Sequence, residues 1–125
     1  MIPFVDANVI VKAFTENVDR EKCRKILSKE FLTNTLCLVE AMKIISLIIH
    51  DKVEAAACIK SVYKSNCIII DLDKNLLFEA IKRADKYHLS VFDLINHTTA
   101  LLNSCTEIIS YDKDFNGLEI KRTEP

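Results

Sequence analysis

The chain of 125 residues is 50% apolar and carries 17 basic against 18 acidic side chains, a formal net charge of −1. This length and composition predict one folded domain over residues 1–125 and exclude a disordered chain. They also exclude a protein built as a whole to coat nucleic acid, because that affinity comes mainly from neutralising phosphates; a local basic patch stays open.

The opening, "MIPFVDANVIVKAF", contains an apolar run, "IPFVD", that reads as a buried strand ending on Asp6. Asn8 can cap a short helix over "VIVKAF", and Asn17 or Asp19 can start a second through "REKCRKILSKE". Thr33 or Asn34 opens a long helix, "TLCLVEAMKIISLIIH", whose apolar residues lie on every side, which predicts a helix enclosed by the fold. Asp51 caps "KVEAAACIKSVYKS", and "CIIID" is a second strand. Asp73 caps "KNLLFEAIKRADKYH", and Ser90 starts "VFDLINHTTALLNSC". A third strand at "EIISYD", a turn at "KDFNG" and a short edge strand at "LEI" complete the pattern. Strands alternating with helices predict a small α/β sandwich around a mainly parallel sheet, with more helix than strand.

A single glycine excludes phosphate loops and dinucleotide fingerprints, which need several. Five cysteines (Cys23, Cys37, Cys58, Cys67 and Cys105) form no C-x-x-C pair, so they read as reduced packing residues of a cytoplasmic protein. Asp6 and Lys12 interrupt the first apolar stretch, against a signal peptide, and "IISLII" falls short of the ~20 residues that span a bilayer. No membrane association is expected.

Sites in open α/β sheets form at the carboxyl ends of strands, where Asp6, Asp71 and Asp112 all fall. Asp71 and Asp73 suit strand termination and capping before "KNLLFEA". Glu40, inside the apolar helix, either pairs with Lys43 or faces a polar cleft. Asp93 completes a capping box with Ser90, which leaves lone pairs free for a ligand. Carboxylates gathered in one pocket repel unless a cation neutralises them, and an all-oxygen set favours Mg²⁺ or Mn²⁺. His97, one turn after Asp93, is either a ligand or base, or an ordinary structural histidine.

"FVDAN", "LVEAMKI", "VFDLINHTTAL" and "SYDKDF" resemble, in order and spacing, the PIN-domain family, particularly its small VapC-like toxin ribonucleases of prokaryotic toxin–antitoxin pairs. The likeness spans nearly the whole chain. It implies a three-layer α/β/α sandwich that cuts RNA with Mg²⁺ or Mn²⁺ held by Asp6, Glu40, Asp93 and Asp112. It further implies Asn8 as a polar companion of Asp6, Ser110 as a supporting hydroxyl and Asp114 as an outer-shell acid. A homodimer and a small inhibitory antitoxin follow from the same likeness. The sequence departs from it at D-A-N, where D-T-N or D-S-N is usual, and at "HTTA", where A-T-A is commoner; neither removes an acid.

On this reading Asp6, Asp93 and Asp112 hold the metal, and Glu40 orients or deprotonates the attacking water or holds a second ion. Lys22, Lys25 and Lys29, with Arg20 and Arg24 nearby, form either an RNA-backbone track or a solvated face balanced by Glu21 and Glu30. Lys12, Lys43 and Lys113 lie near the site elements. An aliphatic surface on the first two helices is the expected interface. The rival readings are a phosphoacceptor receiver-like module, for which Asp71 is the only middle-strand acid, and a catalytically silent PIN-fold scaffold. A haloacid-dehalogenase-like phosphatase fits less well, because Asn8 stands where that chemistry wants an acid.

Overall fold

The computed structural model describes residues 2–125. Five strands, β1 (Phe4–Val5), β2 (Phe31–Asn34), β3 (Cys67–Ile70), β4 (Glu107–Ile109) and β5 (Lys121–Thr123), form one parallel sheet in the order β3-β2-β1-β4-β5. The helices are α1 (Ala7–Ala13), α2 (Arg20–Leu27), α3 (Thr35–Ile49), α4 (Lys52–Tyr63), α5 (Lys74–Ile81) and α6 (Val91–Leu102). Helix accounts for 52% of the chain and strand for 13%, so the α/β/α sandwich is helix-dominated as its sequence predicts.

β1 lies at the centre, with Phe4 opposite both Leu32 of β2 and Ile108 of β4. A parallel sheet covered on both faces needs apolar side chains on both, and Phe4 and Val5 are accordingly both buried. α1 to α4 pack together as one layer, and α5 with α6 forms the other. Phe4, Phe31, Ile108, Ile10, Ile45 and Phe115 fill the interior.

β2 covers Phe31 and Leu32, which the sequence pattern leaves unassigned between two helices, and Thr33 and Asn34, which it offers as the start of the second. α2 stops at Leu27, and "FLTN" enters the sheet with all four side chains buried, between β1 and β3. Asn34 then caps α3 by accepting from the Cys37 amide at 2.8 Å. The final strand is Lys121–Thr123 rather than "LEI", and α5 ends at Ile81, well before "ADKYH". Asp6, not Asn8, is the N-cap of α1.

α3 is not enclosed. Its buried residues are Cys37, Leu38, Ala41 and Ile45, whereas Val39 and Leu47 are 65% and 63% exposed, with Ile44 and Ile48 also at the surface. Among the described residues α1 and α2 expose no large hydrophobic side chain, so the apolar surface lies on α3 instead of the first two helices.

Candidate active site

The strand order places the carboxyl ends of β1, β2 and β4 side by side, and each delivers polar residues to the same edge of the sheet. Asp6 follows β1 directly and is only 6% exposed. Protein donors surround it. Oδ1 accepts from the Ala7 amide at 2.7 Å and from Asn96 Nδ2 at 3.5 Å, and Oδ2 accepts from Ser110 Oγ at 2.7 Å and Asn8 Nδ2 at 3.3 Å. These bonds make a buried carboxylate tolerable. Burial still raises its pKa and the Asp112 charge adds to the rise, while the bonds from Ser110 and Ala7 oppose it.

Asp112 arrives from the other side of the strand junction. Its amide donates to Ser110 Oγ at 3.0 Å, so one serine joins Asp6 to the Asp112 backbone. Its carboxylate accepts from the Asp114 amide at 2.9 Å, starting a 3₁₀ turn over Lys113–Phe115. Asp93 stands in the first turn of α6, held by its amide's bond to Ser90 Oγ at 3.2 Å. Carboxylate oxygens of Asp93, Asp112 and Asp114 all lie within 4.8 Å of one another. The Asp93 carboxyl is pushed up to about 7, first by burial, then by the hydrogen bond and charge it shares with Asp112, with Asp6 adding a smaller push.

Glu40 projects from the second turn of α3 and is half-buried. Its pKa is raised by burial and by the charge of Asp6, which places it on the same acidic edge. Lys43 is not its partner: among the described residues no ion pair includes either side chain. Asn8 donates to Asp6 and, at 3.1 Å, to Ser110 Oγ, while its own oxygen accepts from the Tyr111 amide at 3.3 Å. Thus Asp93, Asp112 and Asp114 form the tight group, Asp6 is tied to it through Ser110 and Asn8, and Glu40 lies outside the group but near enough to Asp6 to feel its charge.

This donor set fits a hard divalent cation. Every side chain in the tight group offers carboxylate oxygen, and three carboxylates within 4.8 Å of one another concentrate negative charge that such an ion offsets. Asp71 is exposed and stands outside this group. His97 lies apart as well. It is fully buried against Tyr87, their ring centroids 4.7 Å apart, with Nε2 3.8 Å from a Glu119 oxygen.

The sequence reading overlooks a set of buried neutral groups behind Asp6. Asn34 Nδ2 donates to Asn96 Oδ1 at 2.9 Å and to Thr99 Oγ1 at 3.0 Å, and the Cys37 thiol donates to Asn96 Oδ1 at 3.3 Å. The available signal was a run of four polar residues, Asn96 to Thr99, set between the apolar pairs Leu94–Ile95 and Ala100–Leu101. Of the basic stripe, Arg20, Lys22 and Arg24 are paired within the chain, whereas Lys25 and Lys29 enter no ion pair among the described residues. Arg20 meets Glu16 at 2.8 Å, Arg24 meets Glu21 at 3.4 Å, and Lys22 and Lys12 each lie 3.9 Å from Asp19.

No curated protein sequence matches this chain. Its fold is similar to that of VapC20 of Mycobacterium tuberculosis, described as a sarcin–ricin loop cleaving toxin (TM-score 0.78, 16% identity, 98% of this chain and 99% of that one covered). It is similar to a chain of a toxin–antitoxin complex from Klebsiella pneumoniae (TM-score 0.72, 17% identity, 94% and 92% covered). VapBC2 from Rickettsia felis, bound to a DNA fragment from its promoter, gives a TM-score of 0.72 at 16% identity, with 99% and 98% covered. The PIN domain family model matches residues 4–121. With the acidic edge and the five-stranded sheet already in place, that match over nearly the whole chain makes this protein a member of the PIN domain family.

Proposed function

We propose that this protein is a Mg²⁺- or Mn²⁺-dependent endoribonuclease, the toxin of a toxin–antitoxin pair acting in the cytoplasm. The observation that carries the reading is the convergence of Asp93, Asp112 and Asp114, backed by Asp6, with Glu40 near enough to Asp6 to feel its charge. Asp93, Asp112 and Asp114, with Asp6, would hold the ion. When bound, it supplies Lewis acidity that eases deprotonation of the attacking water and offsets charge on the scissile phosphate.

The chain's own groups divide the remaining work. Ser110 and Asn8 fix the Asp6 carboxylate and, through the Asp112 and Tyr111 amides, the loop that bears the last acids. Glu40, held above an ordinary glutamate's proton affinity by burial and Asp6, is suited to orient the water and take its proton. Lys43, beside Glu40 and free of an acidic partner among the described residues, is placed to meet the substrate backbone. The five free cysteines fit a reducing compartment.

The exposed face of α3 supports a protein partner. One groove of about 340 Å³ runs between Glu40, Lys43, Ile44, Leu47 and Phe92. A second of about 340 Å³ is lined by Asn8, Val11, Lys12, Ile44 and Ile48 among others. A polypeptide covering Ile44 therefore reaches toward both Glu40 and Asn8, which is how an antitoxin blocks the site. The same face also suits a second copy of the chain.

The test is cleavage of single-stranded RNA by purified protein. Cleavage is expected with Mg²⁺ or Mn²⁺ and none with EDTA; cleavage that survives EDTA overturns the metal-dependent reading. Leu47→Asp is expected to retain cleavage while abolishing association in sedimentation with the antitoxin or another copy. Unchanged association moves the interface elsewhere.

A further inference from the structure

Two asparagines that carry no charge connect three of the acid-bearing elements. Asn34 ends β2 and caps α3, the helix that carries Glu40. Asn96 lies one turn after Asp93 on α6. Their relative exposures are 0% and 1%, and they stand 62 residues apart in sequence.

The direction of the bonds between them is dictated by a helix end. The first turn of α3 presents the Cys37 amide, and only an acceptor can meet it, so Asn34 turns its oxygen there at 2.8 Å. Its nitrogen must then face α6, where it donates to Asn96 Oδ1 at 2.9 Å and Thr99 Oγ1 at 3.0 Å. With its oxygen committed to Asn34 and to the Cys37 thiol at 3.3 Å, Asn96 can only offer its nitrogen onward. That nitrogen meets Asp6 Oδ1 at 3.5 Å. Reversing either amide would set donor against donor or acceptor against acceptor. Capping needs only the Asn34 oxygen, and a serine would supply that, so the nitrogen of Asn34 and the whole amide of Asn96 bring an orientation that the cap alone does not need.

We propose that Asn96, oriented by Asn34, is a positioning residue for the Asp6 carboxylate, setting Asp6 in register with the helices that bear Glu40 and Asp93. The inference rests on the metal-dependent cleavage proposed above. It concerns groups that need not touch substrate or metal, which act by fixing one that does.

Two substitutions separate orientation from packing. Asn96→Leu keeps the volume and removes every bond of the amide. Asn34→Ser keeps an oxygen for the Cys37 amide, since serine is among the best N-caps, but removes the nitrogen that orients Asn96. Each variant is compared with the wild type in RNA cleavage and in calorimetric titration with Mn²⁺, per folded molecule by circular dichroism. Each is expected to lower kcat about 10-fold with KM within about 2-fold, and to weaken Mn²⁺ binding about 10-fold, the scale of a lost outer-shell contact. The double variant is expected to lose no more than Asn96→Leu alone, because both changes cut one relay.

Unchanged kcat and Mn²⁺ affinity in the folded variants overturn the inference, as do losses that multiply in the double variant. If Asn96→Leu does not fold, Asn34→Ser, with its cap retained, decides by the same readouts. A wild type that neither cleaves RNA nor binds Mn²⁺ overturns the functional reading and the inference with it. A wild type that does both while the variants match it overturns the inference alone.

Discussion

Asn96 and His97 are neighbours on α6, both at most 1% exposed, and they meet opposite fates. The flank bearing Asp93, Asn96 and Thr99 faces the strand ends, where polar atoms of β1, β2 and α3 take up its hydrogen bonds. The flank bearing His97 meets the Tyr87 ring, with Glu119, Arg83 and Lys86 near enough to act on it by charge, and neither ring nitrogen has a hydrogen-bond partner. Glu119, the nearest acid, is engaged by Tyr87 and Lys86. Burial of a polar side chain therefore does not by itself mark a site. What marks this one is mutual satisfaction among polar groups drawn from distant segments.

The largest test of that contrast acts on Asp93. Asp93→Asn is expected to lower RNA cleavage by roughly 10²-fold or more, the scale of removing a preorganised charge from a reaction centre. It should also alter the pH dependence of stability in EDTA. The Asp93 carboxyl sits near 3.8 unfolded and about 7 folded, so its contribution is fully present below the unfolded value and lost as pH rises through the folded one. The Asp93 contribution in the metal-free protein thus declines from about pH 4 to about pH 7, so the stability of Asp93→Asn relative to wild type should rise across that range. A relative stability that stays flat there would rule out that contribution from Asp93.

Thr99→Val probes the partnered flank at nearly constant shape. It removes one of two acceptors of the Asn34 nitrogen and is expected to cost about 1–2 kcal/mol, read by urea unfolding. The opposite flank should respond in the opposite direction. His97→Leu replaces two unpartnered buried nitrogens with an apolar side chain and is expected to raise stability by about 1 kcal/mol with cleavage unchanged. Burial also lowers the His97 pKa, so its contribution falls as pH drops below about 6.5, the unfolded histidine value, opposing the Asp93 trend; the leucine variant should lack that loss. A destabilised His97→Leu would show that the unpartnered nitrogens are not a net cost at this position.

Much of this contrast could be read before any coordinates, and the part that could not has definite causes. Asp51, Asp73 and Ser90 declare themselves as caps because capping is local chemistry, and the structure gives each that role. The acids at Asp6, Glu40, Asp93 and Asp112 stand out because charges interrupt apolar runs. β2 is hidden because four apolar and capping residues pass from strand to helix without glycine or proline to announce the change. The Asn34–Asn96 bond is hidden because nothing local distinguishes an amide with a partner 62 residues away from one facing water. α3 misleads for another reason. An all-round apolar helix shows that every face avoids water, but not whether the covering comes from its own chain, and here Leu47 and Val39 are left open.

The central position of β1 has a consequence during synthesis. Phe4 and Val5 need Ile108 and Ile109 on one side, and the Asp6–Ser110 bond closes a separation of 104 residues. At about 5–20 residues per second, a ribosome takes roughly 5–20 s to make that intervening stretch. Until β4 emerges, the nascent chain carries an open strand edge and lacks the segment bearing Asp112 and Asp114. Premature termination anywhere before that segment should yield a sticky fragment for chaperones and proteases, left with at most one of the three acids that form the tight group.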